Sequence, residues 1–450
     1  MNDTIAAIST ALGIGAISII RVSGPDAIEI VNGITKRRKL MNVNSNTINY
    51  DHIVDCEKVV DEVLISVMRA PKTFTCEDIV EINAHGGIAT TNYILKLLLN
   101  NGCRLSEPGE FTKRAFLNGR IDLMQAESIM DLINSKTEKS RSLAINQLDG
   151  KVSNMIRNLR EDIIQVVSNI EVNIDYPEYE DIEVVTNEKL LPSLEVIRKK
   201  LEKILSDSKD GILIKDGIKT SIIGKPNVGK SSLLNRLINE DKAIVTDIEG
   251  TTRDIVEGKI SLDGILLNII DTAGIRETDN LVESIGVKKS LELIDNSDLI
   301  LYVLSNNDKI SDKELEILKK LDDKNYIIVV NKCDLSSKID LPQGIKNLVY
   351  ISALEDKGIE DLKNKIKEIY NLGNIETESL TYLSNARSIS LIEKSLISLN
   401  DVIKGINNNM PIDMIEIDLK NVWNILGEII GETYEDDLID QLFSRFCLGK

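Results

Sequence analysis

The stretch Gly224-Lys225-Pro226-Asn227-Val228-Gly229-Lys230-Ser231 decides how this chain is read. It is a G-x-x-x-x-G-K-S turn between the apolar run IKTSII, residues 218–223, and the helix-like segment SSLLNRLI, residues 231–238. Glycines at both ends let the backbone curl until successive N–H groups face phosphate oxygens, and the following helix adds its positive end. Lys230 is then expected to reach the β- and γ-phosphates, and the Ser231 hydroxyl to bind Mg²⁺. Further strand candidates recur at LLNIID, DLILYVL, NYIIVVN and LVYISA, with helical stretches between several of them. That is the rhythm of a doubly wound α/β sheet.

Four more elements follow in the order that a GTP-binding domain requires. Gly250-Thr251-Thr252-Arg253-Asp254 offers Thr252 as a second hydroxyl ligand for Mg²⁺, on a loop ordered by the γ-phosphate. Asp271-Thr272-Ala273-Gly274 follows a strand, which sets Asp271 near the metal and the Gly274 N–H near the γ-phosphate. Asn331-Lys332-Cys333-Asp334 carries base choice, because the Asp334 carboxylate can accept both N1–H and the exocyclic amine of guanine, a donor pair adenine lacks. Ser352-Ala353-Leu354 would hold the guanine carbonyl through backbone N–H groups. Each tetrapeptide is weak alone, but five in order between 224 and 354 predict GTP binding. The expected contacts are Asn227, Val228, Gly229, Lys230, Ser231 and Ser232, then Thr246, Asp247, Ile248, Glu249, Gly250, Thr251 and Thr252, then Asp271, Thr272, Ala273 and Gly274, and finally Asn331, Lys332, Asp334, Ser352, Ala353 and Leu354. Ile275 stands after Gly274, so the water-orienting glutamine of the Ras pattern is missing.

Outward from this segment, 450 residues with 42% hydrophobic and 28% charged content leave room for about three folded domains. Lys+Arg 54 against Asp+Glu 72 gives a net charge of −18, which argues against broad unaided binding of nucleic acid or anionic membrane. Five scattered cysteines without a C-x-x-C pair point to a reducing compartment, and His52 and His85 are too few for a His-rich zinc site. The first residues lack a basic n-region, and no apolar run reaches the ~18–20 residues of a membrane span, so a cytoplasmic protein without a membrane segment is expected.

Before the nucleotide segment, AISIIRV, VLISVMRA and DIVEINA read as strands, and IATTNYILKLLLNNG as a helix closed by Gly102, which makes residues 1–118 an α+β domain. From Asp122 onward, apolar residues at three- and four-residue spacing predict long amphipathic helices, interrupted near Pro177 and resumed up to Gly211. Helical patterning returns after Leu372. The simplest architecture is an all-α domain in two parts, 119–211 and 373–450, split by an inserted Ras-like P-loop GTPase domain at 216–372. Three independent helical pieces are the other arrangement this pattern allows.

The motifs GKPNVGKSSLLN, AIVTDIEGTTRD, DTAGIRETDNLVESIG and the terminal FCLGK resemble those of the MnmE (TrmE) family of tRNA modification GTPases, over essentially the whole chain. The resemblance implies a potassium-dependent mechanism in which Asn227 and the loop positions Thr246, Ile248 and Thr251 hold K⁺ against the phosphates. A fixed cation there stabilises charge developing between the β- and γ-phosphates, as an arginine finger does elsewhere. It also carries a water-orienting role to Glu283, through a bridging water, and implies that G domains pair across the nucleotide when K⁺ binds.

For residues 1–118 the resemblance implies constitutive dimerisation and binding of 5-formyltetrahydrofolate or a related tetrahydrofolate, with Arg21, Glu81 and Arg120 as contacts. A carboxylate such as Glu81 can pair with the donor edge of a pterin, and arginine can hold an oxygen. From composition alone, an arginine and a glutamate on strands read equally well as solvated surface groups. Two departures stand out: the family commonly has lysine where Arg120 stands, and STALGIGAIS replaces its ATPPGRGGVG turn. His85 reads as loop architecture. The ending Cys447-Leu448-Gly449-Lys450 fits a prenylation signal badly. By resemblance it enters the folate cleft, with Cys447 in the modification chemistry and Lys450 near the folate; an inert cysteine is the alternative.

The function implied is a K⁺-activated GTPase that forms a homodimer. With a flavin-dependent, MnmG-like partner, in a heterotetramer or larger assembly, it would install carboxymethylaminomethyl or aminomethyl groups at C5 of the wobble uridine. tRNA would be met mainly through the complex. Two rivals are a ribosome-assembly GTPase of the Era or Der type, which shares the nucleotide motifs, and a folate-binding scaffold whose G domain only switches assembly.

Overall fold

The computed structural model describes residues 3–175, 187–240, 258–270, 292–372, 381–408, 410–433 and 436–450. The chain divides into two compact units, one made of residues 1–130, 148–197 and 394–450, the other of 131–147 and 198–393. The architecture is mixed α/β, with an N-terminal sheet domain, a helical part and a P-loop domain.

The first unit begins with a six-stranded sheet formed by β1 (Ile5–Ile8), β2 (Ile17–Ser23), β3 (Thr47–Asp55), β4 (Lys58–Met68), β5 (Ile79–His85) and β6 (Arg104–Leu105), in the order β3-β4-β5-β2-β1-β6. All neighbours are antiparallel except β1 with β6. Strand alternation buries Ile20, Val22, Ile65, Val67, Val80 and Ile82 under α1 (Ala27–Gly33) and α2 (Ile88–Asn100), which contribute Val31, Ile94 and Leu98. The same period turns Arg21 and Glu81 to the other face, directly opposite each other across β2 and β5.

Four helices follow in the chain, α3 (Glu110–Leu117), α4 (Leu123–Asn134), α5 (Glu138–Leu148) and α6 (Lys151–Asp175), of which the end of α4 and nearly all of α5 belong to the second unit. In α6 the buried residues Val152, Ile156, Leu159, Ile163, Val167 and Ile170 recur at three- and four-residue spacing. The helix Ile412–Ile430 answers with Ile415, Leu419, Val422, Leu426 and Ile429 at the same spacing. Across this seam the Arg160 guanidinium lies 3.9 Å from the centre of the Trp423 ring and donates to the Trp423 carbonyl at 3.2 Å. The helix Asp436–Phe443 brings Ile439 and Phe443, with Phe446 beyond it, against Ala115, Phe116, Leu123 and Ala126.

In the second unit, β7 (Ile218–Ile223), β8 (Gly258–Leu262), β9 (Ile265–Ile270), β10 (Leu299–Ser305), β11 (Tyr326–Asn331) and β12 (Leu348–Tyr350) form a sheet in the order β12-β11-β10-β7-β9-β8. Every pair is parallel except the hairpin β8-β9, whose turn residues Asp263 and Gly264 have φ of 48° and 79°. β10 is buried along its whole length, as a central parallel strand should be. The domain also contains helix α8 (Lys230–Glu240) and the helices Asp312–Lys320 and Ile359–Ile369.

One expectation is corrected here. The helix expected to stop at Gly211 is α7 (Asn187–Asp216), and it continues five residues further. Gly211 serves close packing, since a Cβ there would lie 2.3 Å from the Leu383 carbonyl oxygen. The helix ends at Gly217, φ +75°, the left-handed position that glycine tolerates best. Sequence reading also missed β1, β3, β6, β8 and α1. No helix among the described residues is long and apolar enough to cross a membrane.

Candidate functional site

The nucleotide segment lies where the strand-to-helix turn predicts, between β7 and α8. Gly224 has φ +149°, and a Cβ there would sit 2.3 Å from the Val303 carbonyl oxygen of β10. Asn227 takes φ +62°, and Gly229 takes φ +98° with space for a Cβ closed by Asn331 Nδ2 at 2.1 Å. Lys230 opens α8, and its Nζ donates to the carbonyls of Gly224 at 2.9 Å and Lys225 at 2.7 Å. Burial pushes its ammonium below the ordinary lysine value, so a phosphate oxygen at that point is a strong partner for it. Ser231 and Ser232 follow on the exposed first turn of α8, where the helix terminus favours an anion. Lys225 reaches across to Glu314 at 2.7 Å, the residue whose carboxylate also completes the capping box with Ser311.

The base-side motifs converge on the same loop. Asn331 closes β11 and is buried; its Nδ2 donates to the Val228 carbonyl at 2.9 Å while its Oδ1 accepts from the Ala353 N–H at 3.0 Å. Lys332 has φ +66°, which reverses the chain and presents Asp334. The Ser352 hydroxyl donates to Asp334 Oδ1 at 2.6 Å, and Ser352 bridges back to Lys357. Leu354 is exposed. Asn227, Val228, Gly229, Lys230, Asn331, Asp334, Ser352 and Ala353 thus belong to one connected set. Thr246, Asp247, Ile248, Glu249, Gly250, Thr251, Thr252, Asp271, Thr272, Ala273, Gly274 and Glu283 lie outside the described residues.

The N-terminal sheet carries a second constellation. Arg21 Nε donates to Glu81 Oε1 at 2.8 Å, and both side chains keep roughly a fifth of their surface exposed, at 20% and 23%. The tail docks beside them: the Gly449 carbonyl accepts from Arg21 Nη1 at 3.3 Å and from the Ser9 hydroxyl at 3.1 Å. The Phe111 N–H donates to the Lys450 carbonyl at 3.2 Å, and the Gly109 N–H to the Cys447 carbonyl at 3.3 Å. Gly449 has φ +84°, and a Cβ there would fall 2.4 Å from the Ile8 carbonyl oxygen. Cys447 is exposed. Arg120 stacks over the Phe74 ring at 4.9 Å, and Phe74 packs on Ile5, Ala7 and Phe111, whose ring lies 5.6 Å below the Arg21 guanidinium. Thus Arg21, Glu81 and the tail meet directly, and Arg120 joins them only through the two phenylalanines.

Sequence reasoning missed Ser9, the bridging role of Asn331 and the ion pair Lys225–Glu314. The only signal for any of them was the presence of Asn331 in a base-recognition motif; contacts across 440 or 103 positions leave no local pattern.

Comparison with known proteins identifies relatives along the whole chain. Residues 4–120 match the family model described as the GTP-binding protein TrmE N-terminus, and residues 123–447 match the MnmE helical domain. The tRNA modification GTPase MnmE of Lactococcus lactis subsp. cremoris (strain SK11) is 54% identical over 448 residues, covering 100% of this chain and 98% of that protein. Those of Bacillus cytotoxicus and Bacillus licheniformis are 51% and 50% identical, covering all of this chain and 99% and 100% of their own lengths. The G domain of the T. maritima FeoB iron transporter is 27% identical over 34% of this chain and 98% of its own, with a TM-score of 0.26. A ribosome-assembly GTPase of the Era or Der type is disfavoured, because the match includes the N-terminal and helical parts that such a protein does not need. With relatives above 50% identity along its full length and family models over both flanking parts, the chain belongs to the tRNA modification GTPase MnmE family.

Proposed function

We propose that this chain is a cytoplasmic, K⁺-activated GTP hydrolase. It works as a homodimer with an MnmG-like, FAD-dependent partner, in a heterotetramer or larger assembly, to place a carboxymethylaminomethyl or aminomethyl group on C5 of the wobble uridine of certain tRNAs. Residues 1–118 would bind the folate and dimerise, 216–372 would hydrolyse GTP, and 119–211 with 373–450 would form the helical domain.

The observation that carries this reading is the Gly449 carbonyl held by Arg21, which is itself paired with Glu81. It joins a donor-and-acceptor pair suited to a pterin edge to the segment that bears Cys447. Lys450 would lie near the folate, and the exposed thiol of Cys447 is free to act on a one-carbon unit. The folate would supply that carbon; Arg21 and Glu81 orient it, and Arg120 lines the approach through Phe74.

In the nucleotide domain, the glycines at 224 and 229 leave the space a phosphate needs, and Lys230 with the first turn of α8 supplies positive charge. Ser231 and Thr252 would hold Mg²⁺, with Asp271 near it; Asn227, Thr246, Ile248 and Thr251 would hold K⁺, and Glu283 would orient water. Bound K⁺ would supply positive charge between the β- and γ-phosphates. Asp334 would select guanine.

The test is mass spectrometry of wobble nucleosides in tRNA from cells lacking this gene, with complementation by the wild type and by Cys447→Ser. Loss of the modification, restored only by the wild type, is expected; unchanged uridine modification in the deletion would overturn the reading. GTP hydrolysis at equal rates in K⁺ and Na⁺ would remove the K⁺ part of it.

A further inference from the structure

Arg236 belongs to none of the nucleotide motifs, yet its side chain ends on one of them. It projects from α8, the helix that Lys230 opens. Its Nε donates to the Ala353 carbonyl at 2.9 Å and its Nη2 to the Leu354 carbonyl at 3.0 Å. Asp356 Oδ1 lies 3.9 Å away on the same loop, so the guanidinium faces two carbonyls and a carboxylate at once. A planar fork holds two adjacent carbonyls from two separate nitrogens in one fixed geometry, whereas a lysine ammonium is a single rotatable donor point.

The consequence follows from the peptide plane. In a trans peptide the C=O of one residue and the N–H of the next point in opposite directions. Fixing the Ala353 carbonyl on α8 therefore turns the Leu354 N–H away from α8. Fixing the Leu354 carbonyl turns the Glu355 N–H away too, and that group closes on the Ser352 hydroxyl at 3.2 Å. The Ala353 N–H is taken by Asn331. The Leu354 N–H makes no hydrogen bond among the described residues. Of the three amides in this turn it is the one left to meet a ligand acceptor.

We propose that Arg236 is a positioning residue for base recognition: by clamping the Ala353 and Leu354 carbonyls to α8, it aims the Leu354 N–H at the 6-carbonyl of guanine. The inference rests on the reading of 331–334 and 352–354 as the guanine site. It adds a residue on the phosphate-side helix that couples the two halves of the pocket.

The experiment uses the full chain with Arg236→Ala, Arg236→Lys and, as a control on the site itself, Asp334→Asn. Affinities are measured for GDP, for 6-thio-GDP, which replaces the 6-oxygen with a weak acceptor, and for IDP, which lacks the 2-amine. Arg236→Ala is expected to weaken GDP on the order of ten-fold, the scale of one hydrogen bond to an oriented donor. The preference for GDP over 6-thio-GDP should shrink in parallel, with Arg236→Lys intermediate. Equal loss for GDP and 6-thio-GDP would mean only a loosened domain and would overturn the proposal, as would no change in either. Asp334→Asn should abolish the preference for GDP over IDP. If it does so while Arg236→Ala leaves the 6-position preference intact, the positioning role alone fails. If Asp334→Asn leaves the IDP preference untouched, the guanine-site reading fails and the proposal with it.

Discussion

Asn331 Nδ2 stands 2.9 Å from the Val228 carbonyl, so the residue that closes β11 holds the phosphate loop from the base side. Its Oδ1 holds the Ala353 N–H at the same time. Asn331→Ala should leave a buried carbonyl and a buried N–H unpaired and cost about 1–3 kcal/mol. Urea unfolding of the full chain, followed with and without GDP, measures this. Loss of GDP affinity with unchanged stability would show that Asn331 is not the tie described.

Gly211 tests the sign of a helix substitution. In an exposed helix interior, glycine to alanine stabilises by roughly 1 kcal/mol. At this position the new methyl would lie 2.3 Å from the Leu383 carbonyl oxygen. Gly211→Ala is therefore expected to lower the melting temperature, and a rise would refute the close approach.

Gly449→Ala should unseat the tail, since φ +84° and the Ile8 carbonyl both exclude a side chain there. GTP hydrolysis should be retained while wobble modification is lost. Parallel loss of both activities would argue against two separable sites.

His85 gives a pH prediction. Its Nδ1 lies 2.7 Å from Asp61 Oδ1, and that hydrogen bond, together with the charge of the carboxylate, raises the imidazole above its ordinary value. A raised folded value means that the stabilisation is complete below the unfolded pKa and disappears as pH climbs through the folded one. The ring is 73% exposed, so the effect on stability is small, and the titration itself is the measurement. NMR of the two histidines should find the His85 midpoint raised, and lowered again in Asp61→Asn; a midpoint insensitive to Asp61 would refute the pair.

Thiol chemistry gives a fifth prediction. Cys103 is buried, and burial, with Asp26 nearby, pushes its thiol up to about 12, while Cys56, Cys333 and Cys447 are exposed. Iodoacetamide at neutral pH should modify the three exposed thiols first and Cys103 only on unfolding. Early modification of Cys103, read by peptide mass spectrometry, would contradict its burial.

What the sequence disclosed follows from how local each signal is. The turn at 224–231 carries its own geometry in its glycines, and β10 is an unbroken apolar run, so both could be read directly. β1 could not, because IAAI is short and half alanine, and β3, TINYDHIVD, presents polar residues on a half-exposed edge. The end of α7 is not legible in the sequence, because Gly211 marks a contact with Leu383 that only the folded chain reveals. At the sites, Arg21 and Glu81 came from resemblance, and their cross-strand register gives the physical reason they meet. Arg236 and Ser9 carried no signal, since their partners are 117 and 440 positions away.

The tie between Asn331 and Val228 also constrains the order in which the protein can acquire its ligand. The loop at 224–230 is shaped by β10, by the start of the helix Asp312–Lys320, and by the ends of β11 and β12, all of them later in the chain. A nascent or partly folded P-loop domain therefore has the motif without the pocket. A nucleotide that binds the finished sheet favours, by mass action, chains that have completed the domain.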